Sequence, residues 1–395
     1  MEKLIDITGK ALSGEWGTND ETGNGIPVLR TTNFTNEGVV NYKDVVTRTI
    51  TKKNIGEKFL RKGDIIIEKS GGSDKFPVGR VIYFDGDENT YLFNNFTGLL
   101  RVKNQDVWYP KYVFYSLFAN YKRGGTRAFE NKTTGLHNLK TDDYVSRYEI
   151  AEIDMKEQIS ICEKLDKLYG VIKLREQELQ LLDDLIKARF VELFECGDHE
   201  IVKVSDVCDF ITKGTTPPTG EITEEYENGK IPFLKVYNLS FTGEMLFDEN
   251  PQYILAETHN GKLARSKVYP NDVLMNIVGP PLGKFTLVTD EFEEWNINQA
   301  IAIFRAKERI LPRFLLHALM QPKVLEPFIG RAVGIRQQNL SLEQCRNLQF
   351  PLPSLEEQKS FVEFAEQLDK SKVAVQKALD ETQVLFDSLM QEYFG

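Results

Sequence analysis

The sequence predicts an α+β protein in which two mixed α/β domains alternate with a pair of long antiparallel coiled-coil helices, as a pseudo-twofold internal repeat. Three observations predict this fold. Similar stretches recur at a spacing of 200 to 205 residues. Each copy begins with short strand-like runs bounded by turns. Each copy ends in a long, helix-like stretch whose apolar residues recur at alternating intervals of four and three.

The repeat is visible first in the strand-rich parts. IPVLRTTNFT from Ile26 resembles IPFLKVYNLS from Ile231, and VGRVIYF from Val78 resembles LGKFTLV from Leu282. YPKYVFYSLF resembles LPRFLLHALM further on. The offset falls from 205 to 200 and then stays constant through the helical stretches, where insertions are poorly tolerated. This pattern indicates a duplicated unit.

Within each copy the elements can be assigned from composition. FLRKGDIIIEKSGG and VYPNDVLMNIVGPP are typical of strands between turns, and YVFYSLFANY and RFLLHALMQ of short helices that begin near a proline. Asp64 could resemble a nuclease carboxylate, but Asp272 occupies the matching place, which favours a structural turn. The predicted segments are a first domain over 1–150, a first helix over 151–197, a second domain over 198–350 and a second helix over 351–395.

The two helices have the apolar seam of a coiled coil. In the first the seam runs through residues 161, 165, 168, 172, 179, 182, 186 and 193, and in the second through 361, 365, 368, 375, 379, 386, 389 and 393. Arg175, Arg189, Lys372 and Thr382 interrupt it. A helix of this kind, on the order of 60 Å long, cannot bury its seam alone. We therefore expect the two helices to pair, and antiparallel pairing would carry the two domains to opposite ends. Their acidic faces are either solvated or docking surfaces for partner proteins.

The net charge of −10 conceals an uneven distribution. Residues 1–150 carry +3 and residues 201–350 carry −2, whereas 151–200 and 351–395 carry −6 and −5. The acidity thus lies mainly in the helices. Since local fields decide contact with nucleic acid, the total charge does not exclude DNA binding by the two domains.

Signals of catalysis are weak. The stretch Gly279–Lys284 is one residue short of a phosphate-binding loop, and Phe285 stands where a serine or threonine is needed. The four histidines are scattered, and the cysteines (Cys162, Cys196, Cys208 and Cys345) lack metal-ligand spacing, which is typical of reduced thiols in a cytoplasmic protein. No apolar run is long enough to span a membrane. We therefore predict no catalytic site, no metal and no cofactor in this chain.

Several motifs resemble a known family. FITKGTTPP from Phe210, followed by GKIPFL, resembles the opening of the target recognition domain in specificity subunits of type I restriction–modification systems. WNINQA from Trp295 resembles a later asparagine–glutamine motif, and FPLPSLEEQ from Phe350 the proline-rich start of the spacer helix. The resemblance covers nearly the whole chain. The first copy departs from it: YEIAEIDMKEQ from Tyr148 lacks the prolines, and NNF from Asn94 replaces asparagine–glutamine.

The resemblance implies a DNA-binding subunit without catalysis of its own. Such subunits read a bipartite site on double-stranded DNA, with one domain per half-site and the helices setting the spacing. They recruit two adenine-methylating modification subunits and two ATP-dependent restriction subunits, on which S-adenosylmethionine, ATP and Mg²⁺ are expected. Because the loops of the two copies differ, we expect an asymmetric target.

Candidate DNA contacts are basic, amide and hydroxyl side chains in loops, since basic groups neutralise phosphates and arginine, asparagine or glutamine can read bases. In the first copy they are Arg30, Thr32, Asn33, Ser70, Ser73, Lys75, Lys122, Arg123, Arg127 and Lys132. In the second copy they are Lys213, Lys235, Tyr237, Asn238, Lys284, Arg331, Arg336, Gln337 and Gln338.

Two other functions are compatible with the residues. The chain could be a fused enzyme that cuts or methylates DNA itself, which turnover by the purified chain with Mg²⁺ and a methyl donor would reveal. It could also be a coiled-coil adaptor that never contacts DNA, which would show no salt-dependent binding to a duplex.

Overall fold

The structure is a computed structural model that describes residues 1–133, 136–279, 281–329 and 339–395. The chain forms two compact units, the first comprising Met1–Leu174 with Ala378–Gly395 and the second Arg175–Lys377. Each unit contains one copy of the strand-rich part and a segment of both long helices. The predicted α+β architecture with an internal repeat is confirmed. The domain boundaries stay a prediction, because the division into compact units cuts through both helices.

In the first unit a four-stranded antiparallel sheet has the order Leu12–Ser13, Thr97–Leu100, Ile65–Glu68, Val81–Tyr83. A second sheet has the order Thr18–Asn19, Val46–Thr49, Ile26–Leu29, Leu92–Phe93, and only its last pairing is parallel. Smaller sheets comprise Glu130–Thr133, Leu136–Leu139 and Ser70–Gly72, and Glu2–Lys3 with Glu149–Ile150. The helices are Leu4–Thr8, Pro110–Lys122 and Thr141–Arg147.

The second unit repeats this topology. Its antiparallel sheet has the order Cys208–Lys213, Ile301–Ala306, Val273–Asn276, Phe285–Leu287. The sheet with one parallel pairing has the order Ile222–Thr223, Tyr253–Leu255, Lys230–Leu234, Trp295–Ile297, Lys267–Val268. Glu200–Lys203 pairs with Gln349–Leu352. The helices are Val204–Val207, Ala256–Asn260, Pro312–Leu319, Pro322–Ile329 and Leu342–Arg346.

The repeated elements arise where the sequence pattern places them. The apolar runs beginning at Ile65 and Val273 are buried along their whole length, as expected for central strands covered on both faces. Pro110 and Pro312 stand at the first helical position, where the missing backbone N–H loses no hydrogen bond. These strands and helices confirm the assignments made from the sequence.

The long helices run from Met155 to Phe190, followed by a π-helical turn to Glu195, and from Leu355 to Phe394. All the predicted seam residues are buried or half-buried. In the second unit Asp183 contacts Lys372 and Phe190 packs on Phe361, so residue numbers rise in one helix as they fall in the other. In the first unit Lys164 donates to the Tyr393 hydroxyl, in the same antiparallel sense. The predicted pairing is confirmed.

Each long helix is held near its start by a buried glutamine that makes equivalent hydrogen bonds, although the first helix lacks the prolines that precede the second. The buried Gln158 amide accepts a hydrogen bond from the Tyr109 backbone at 2.8 Å and donates to the Val107 and Ile153 carbonyls. The buried Gln358 amide accepts from the Leu311 backbone at 2.9 Å and donates to the carbonyls of residues 309 and 353. Each glutamine therefore fixes a helix start to the strand-rich part of its own unit.

The seam interruptions of the second helix are buried. Lys372 lies 2.8 Å from Asp183 on the first helix and 2.8 Å from Asp369 one turn away. Burial alone would lower the pKa of Lys372, but its hydrogen bonds to these carboxylates raise it. The ammonium is thus kept in the seam by Asp183 and Asp369, and buried polar contacts of this kind favour one register of helix pairing over others.

Candidate nucleic-acid interface

In the first unit two turns meet at one edge of the partly parallel sheet. The strands Ile26–Leu29 and Leu92–Phe93 run in parallel, so the segments that follow them leave the sheet on the same side. Arg30 to Asn33 form a 3₁₀ turn after the first strand, and Asn94 follows the second. The backbone N–H of Asn94 donates to the Leu29 carbonyl at 2.9 Å. We call this place the recognition edge of the unit.

The turn at the first recognition edge is held by Asn33 from inside. Its amide oxygen accepts from the Arg30 backbone at 2.9 Å, and its amide nitrogen donates to the Asn41 carbonyl at 3.0 Å. Only 1% of Asn33 is exposed. The prediction that Asn33 contacts DNA is therefore corrected to a supporting role, whereas Thr32, at the middle of the turn, is exposed.

The second unit builds the same turn with different side chains. The Asn238 amide accepts from the Lys235 backbone at 2.9 Å and donates to the Leu246 carbonyl at 3.1 Å. Asn238 is fully buried, so its prediction as a DNA contact is corrected in the same way. Tyr237 takes the place of Thr32 and is 37% exposed, and partial burial raises the pKa of its hydroxyl. Two equal frames thus present different groups to solvent.

The turns are also tied to the neighbouring sheet, by residues that the sequence analysis missed in the first copy. Arg80 donates to the carbonyls of Thr31 (2.9 Å) and Phe34 (3.0 Å) and lies 3.5 Å from Glu68. Burial raises the pKa of the Glu68 carboxyl. The signal that could have found Arg80 is its alignment with Lys284 in the repeated stretches VGRVIYF and LGKFTLV.

In the second unit the residues at the positions of Glu68 and Arg80 make different, uncharged bonds. Asn276, in the place of Glu68, accepts from the Lys284 backbone at 2.8 Å and donates to the Pro281 carbonyl at 2.8 Å. The half-buried Lys284 ammonium lies 5.7 Å from the centre of the exposed Phe241 ring. The surroundings of the two turns therefore differ in charge as well as in shape.

The glycine-rich loop of the first unit gathers several predicted contacts. Ser73 closes a tight turn, since its hydroxyl accepts from the Phe76 backbone at 3.1 Å and its N–H donates to the Phe76 carbonyl. Arg127 donates to the carbonyls of Asp74 and Lys75, both at 3.3 Å. Ser73, Lys75 and Arg127 are exposed, whereas Ser70 is half-buried in a strand. The structure thus joins Arg127 to a loop more than fifty residues away in sequence.

The other predicted basic residues are dispersed. Arg123 donates to the carbonyl of Phe394 on the second long helix, which gives it a structural partner. Lys122 is exposed, with its ammonium 5.3 Å from the Phe118 ring centre. Lys132 lies in the strand Glu130–Thr133, but its side chain is outside the described part. Lys213 is exposed at the end of its strand. Arg331, Arg336, Gln337 and Gln338 fall in a range that lies outside the described residues.

Two buried carboxylates that could resemble catalytic acids are instead structural. Asp64 receives two hydrogen bonds from the Arg101 guanidinium, at 2.6 and 2.7 Å, and one from the Arg61 backbone. Asp272 receives the same set from Arg305 and the Tyr269 backbone. With both oxygens occupied in both copies, these pairs brace the strand starts, which confirms the structural interpretation of Asp64.

The chemistry of the remaining groups is equally limited in the part of the chain that the structure describes. Burial raises the pKa of the Cys162, Cys208 and Cys345 thiols to about 12, which suppresses the reactive thiolate. No group of three or more histidine, cysteine, aspartate or glutamate side chains in the described ranges is arranged to hold a metal ion. Among the described helices, none combines the length and apolar character needed to cross a bilayer.

Comparison with known proteins gives one consistent result. The family described as "Type I restriction modification DNA specificity domain" matches residues 3–183 and 197–382. The specificity subunit of the type I restriction enzyme EcoBI from Escherichia coli is 24% identical over 356 residues, which cover 81% of this chain and 73% of that protein. The MjaVIII specificity subunit from Methanocaldococcus jannaschii is 25% identical over 335 residues, which cover 75% of each chain.

Two solved structures share the fold along nearly the full chain. One comes from work on the complex assembly and conformational transition of the type I R-M system, with a TM-score of 0.56 and 17% identity over 99% of this chain and 96% of that one. The other is a type I restriction–modification S subunit from M. genitalium, with a TM-score of 0.52 and 17% identity over 100% of this chain and 95% of that one.

Proposed function

The chain belongs to the type I restriction–modification DNA specificity family, and from this premise we propose that it reads an asymmetric, bipartite site on double-stranded DNA. Each unit contacts one half-site through its recognition edge, and the paired long helices set the spacing between the halves. The chain itself performs no chemistry. S-adenosylmethionine, ATP and Mg²⁺ are used by its partners, two modification subunits and two restriction subunits.

The observation that carries this proposal is the identical frame around unlike side chains. Asn33 and Asn238 make the same hydrogen bonds inside their turns, yet Thr32 stands on one turn and Tyr237 on the other. Reading of bases depends on which groups reach the groove, while the frame fixes where they are held. Two equal frames with different exposed groups are suited to two different half-sites.

Docking of partner proteins is supported by the outer surfaces of the long helices. In the first unit the exposed large apolar side chains of these helices are Val171, Leu174, Val384 and Leu385, and in the second they are Leu181, Leu185, Leu355 and Val373. Exposed aliphatic residues at helical spacing are a common basis for packing against another helix. The acidic charge of the helical segments also disfavours DNA as the ligand of these surfaces.

The test is to map methylated adenines in a host that expresses the chain with its modification subunit. Tyr237→Ala is expected to relax or change the motif in one half-site, and Thr32→Ala in the other, because each residue belongs to a different unit. Tyr269→Ala is the matched control, since Tyr269 is also 37% exposed and follows the strand Lys267–Val268, which runs antiparallel to Trp295–Ile297 and so ends at the opposite edge of the sheet from the turn. A wild-type motif that is contiguous rather than bipartite would contradict the proposal.

The same preparation distinguishes the other functions. Methylation or cleavage of the mapped duplex by the chain alone, with Mg²⁺ and a methyl donor, would favour a fused enzyme. Methylation that follows the motif only when both subunits are present, together with binding of the duplex by the chain, supports a specificity subunit.

A further inference from the structure

Beside each recognition edge lies a small group of cations that is built differently in the two copies. In the first unit Lys52 and Lys58 both contact one oxygen of Glu15, at 2.6 and 2.5 Å. Nearby, the Lys69 ammonium donates to the hydroxyl of Ser13 at 2.9 Å. We call Glu15, Lys52, Lys58 and Lys69 the first cation patch. Its net charge is +2. Of its four residues, only Lys69 is next in sequence to a predicted DNA contact, Ser70.

Lys69 is poorly neutralised where it stands. Among the described residues its ammonium makes a hydrogen bond only to a neutral hydroxyl. Burial and the neighbouring Lys58 lower the pKa of Lys69, while Asp142 acts in the opposite direction. Two ammonium groups that share one carboxylate oxygen, with a third close by, form a site where an added anion relieves repulsion.

The second unit reproduces this charge from other positions. Gly14 and Gly214 occupy equivalent places, because a Cβ on either would come within 2.2 Å of two successive carbonyl oxygens at the end of the parallel strand. The residues before them, Ser13 and Lys213, are therefore equivalent. Lys213 of the second unit thus stands in the place of Ser13, whose hydroxyl accepts a hydrogen bond from the Lys69 ammonium in the first unit.

The second cation of each pair also comes from a corresponding element. Lys58 lies in the 3₁₀ turn Gly56–Lys58 and reaches residue 15, just after the first glycine. Arg265 lies in the 3₁₀ turn Ala264–Ser266 and donates at 2.8 Å to Thr215, just after the second glycine. Lys213 and Arg265 form the second cation patch, again with a net charge of +2. The buried Ile277 stands in the place of Lys69. The net charge of the patch is therefore the same in both units, although different residues provide it.

Both patches adjoin the turns that read DNA in the proposed function. The backbone of Glu15 donates to the Phe93 carbonyl, and that of Lys69 to the Phe96 carbonyl, both at 2.8 Å. In the second unit Gln299, which follows the parallel strand, donates to the Thr216 hydroxyl at 3.3 Å. Each cation patch therefore lies beside the end of the strand that runs parallel to the strand before the turn, at the same edge of the sheet as that turn.

We propose that each cation patch binds a phosphate of the DNA backbone and so fixes the position of its half-site, independently of the base sequence that the turn reads. The inference rests on the proposed function. The two cation patches have the same net charge but are made of different residues. This fits a ligand group that is the same in every duplex, and the phosphates do not vary with the base sequence. The unlike turns, in contrast, fit the part of the DNA that does vary.

The test is the salt dependence of binding by the full-length chain to the mapped duplex. Each contacted phosphate contributes about 0.9 to the slope of log Kd against log salt concentration. Lys58→Gln with Lys69→Gln is expected to reduce the slope by about 0.9, because this pair holds one phosphate, and Lys213→Gln with Arg265→Gln by a similar amount. The ratio of Kd values for target and scrambled duplexes should stay within about twofold of wild type, since phosphate contacts position but do not specify.

Matched variants separate a local contact from a general charge effect. Lys167→Gln with Lys359→Gln removes two exposed charges from the long helices and should leave the slope unchanged. Lys58→Arg with Lys69→Arg keeps the charge and should retain the wild-type slope. A wild-type target-to-scrambled ratio in the glutamine pairs shows that their folding is intact. An unchanged slope in either glutamine pair, or an altered target-to-scrambled ratio, would overturn the phosphate assignment. A wild-type chain that binds no DNA would instead overturn the proposed function, and the patch assignment with it.

Discussion

Replacing Gln358 by methionine should weaken the attachment of the start of the second long helix to the strand-rich part of the second unit. The methionine side chain has a similar volume but cannot make the three backbone hydrogen bonds of the buried amide, to residues 309, 311 and 353. A buried backbone group left without a partner costs about 1–3 kcal/mol. Three such groups give a loss of at least about 3 kcal/mol in the free energy of unfolding, even after the better burial of methionine is allowed for.

The assay is equilibrium urea unfolding followed by tryptophan fluorescence. Trp295 is the sole tryptophan of residues 175–377, so a background with Trp16→Phe and Trp108→Phe reports on the second unit alone. Gln158→Met is the matched variant, because Gln158 makes the equivalent bonds in the first unit, one of them to the residue before Trp108. In this background, Gln358→Met should lower the stability that Trp295 reports more than Gln158→Met does, because only Gln358 anchors the second unit. A loss below about 1 kcal/mol for Gln358→Met would refute the anchoring role.

Three further predictions concern buried or helical positions. Burial lowers the pKa of His317 from 6.5 to about 4, so the neutral ring favours the folded state above pH 6.5. Up to about 3 kcal/mol of the free energy of unfolding is then lost as the pH falls from 6.5 to 4. His317→Phe should flatten this part of a pH profile of urea unfolding, and an unchanged profile would contradict the prediction. Gly170→Ala should raise stability by about 0.5–1 kcal/mol, since an added Cβ meets no atom within 4 Å, and a lower melting temperature would contradict this. Lys372→Leu should cost about 3 kcal/mol by leaving Asp183 unpaired in the seam, and the double variant with Asp183→Leu should recover most of that loss in the same unfolding assay.

The helices and central strands could be predicted because their signals are local. Alternating intervals of four and three identify the seam without knowledge of the partner helix, and two of its four interruptions, Lys372 and Thr382, proved to be buried positions. The continuous apolar run at Ile65 likewise needs no tertiary information. Duplication strengthened each of these assignments, because the same element appeared twice.

The candidate interface was less accessible from the sequence, because exposure is set by tertiary contacts. Asn33 and Asn238 have the side chains of base-reading residues, but both are turned inward to hold a turn. Arg80 was missed because its partners, the carbonyls after residue 30, lie about fifty positions away. The cation patches combine strands and a 3₁₀ turn that no sequence window contains together.

The inward-facing asparagines also bear on how such a chain acquires a new target. Since Asn33 and Asn238 hold their turns through main-chain groups, the residue between the turn ends can mutate without unravelling the loop that carries it. Under the proposed function, a change at Thr32 or Tyr237 alters the reading of one half-site and leaves the frame of both turns in place. A new specificity is then reachable through single substitutions that cost the fold little.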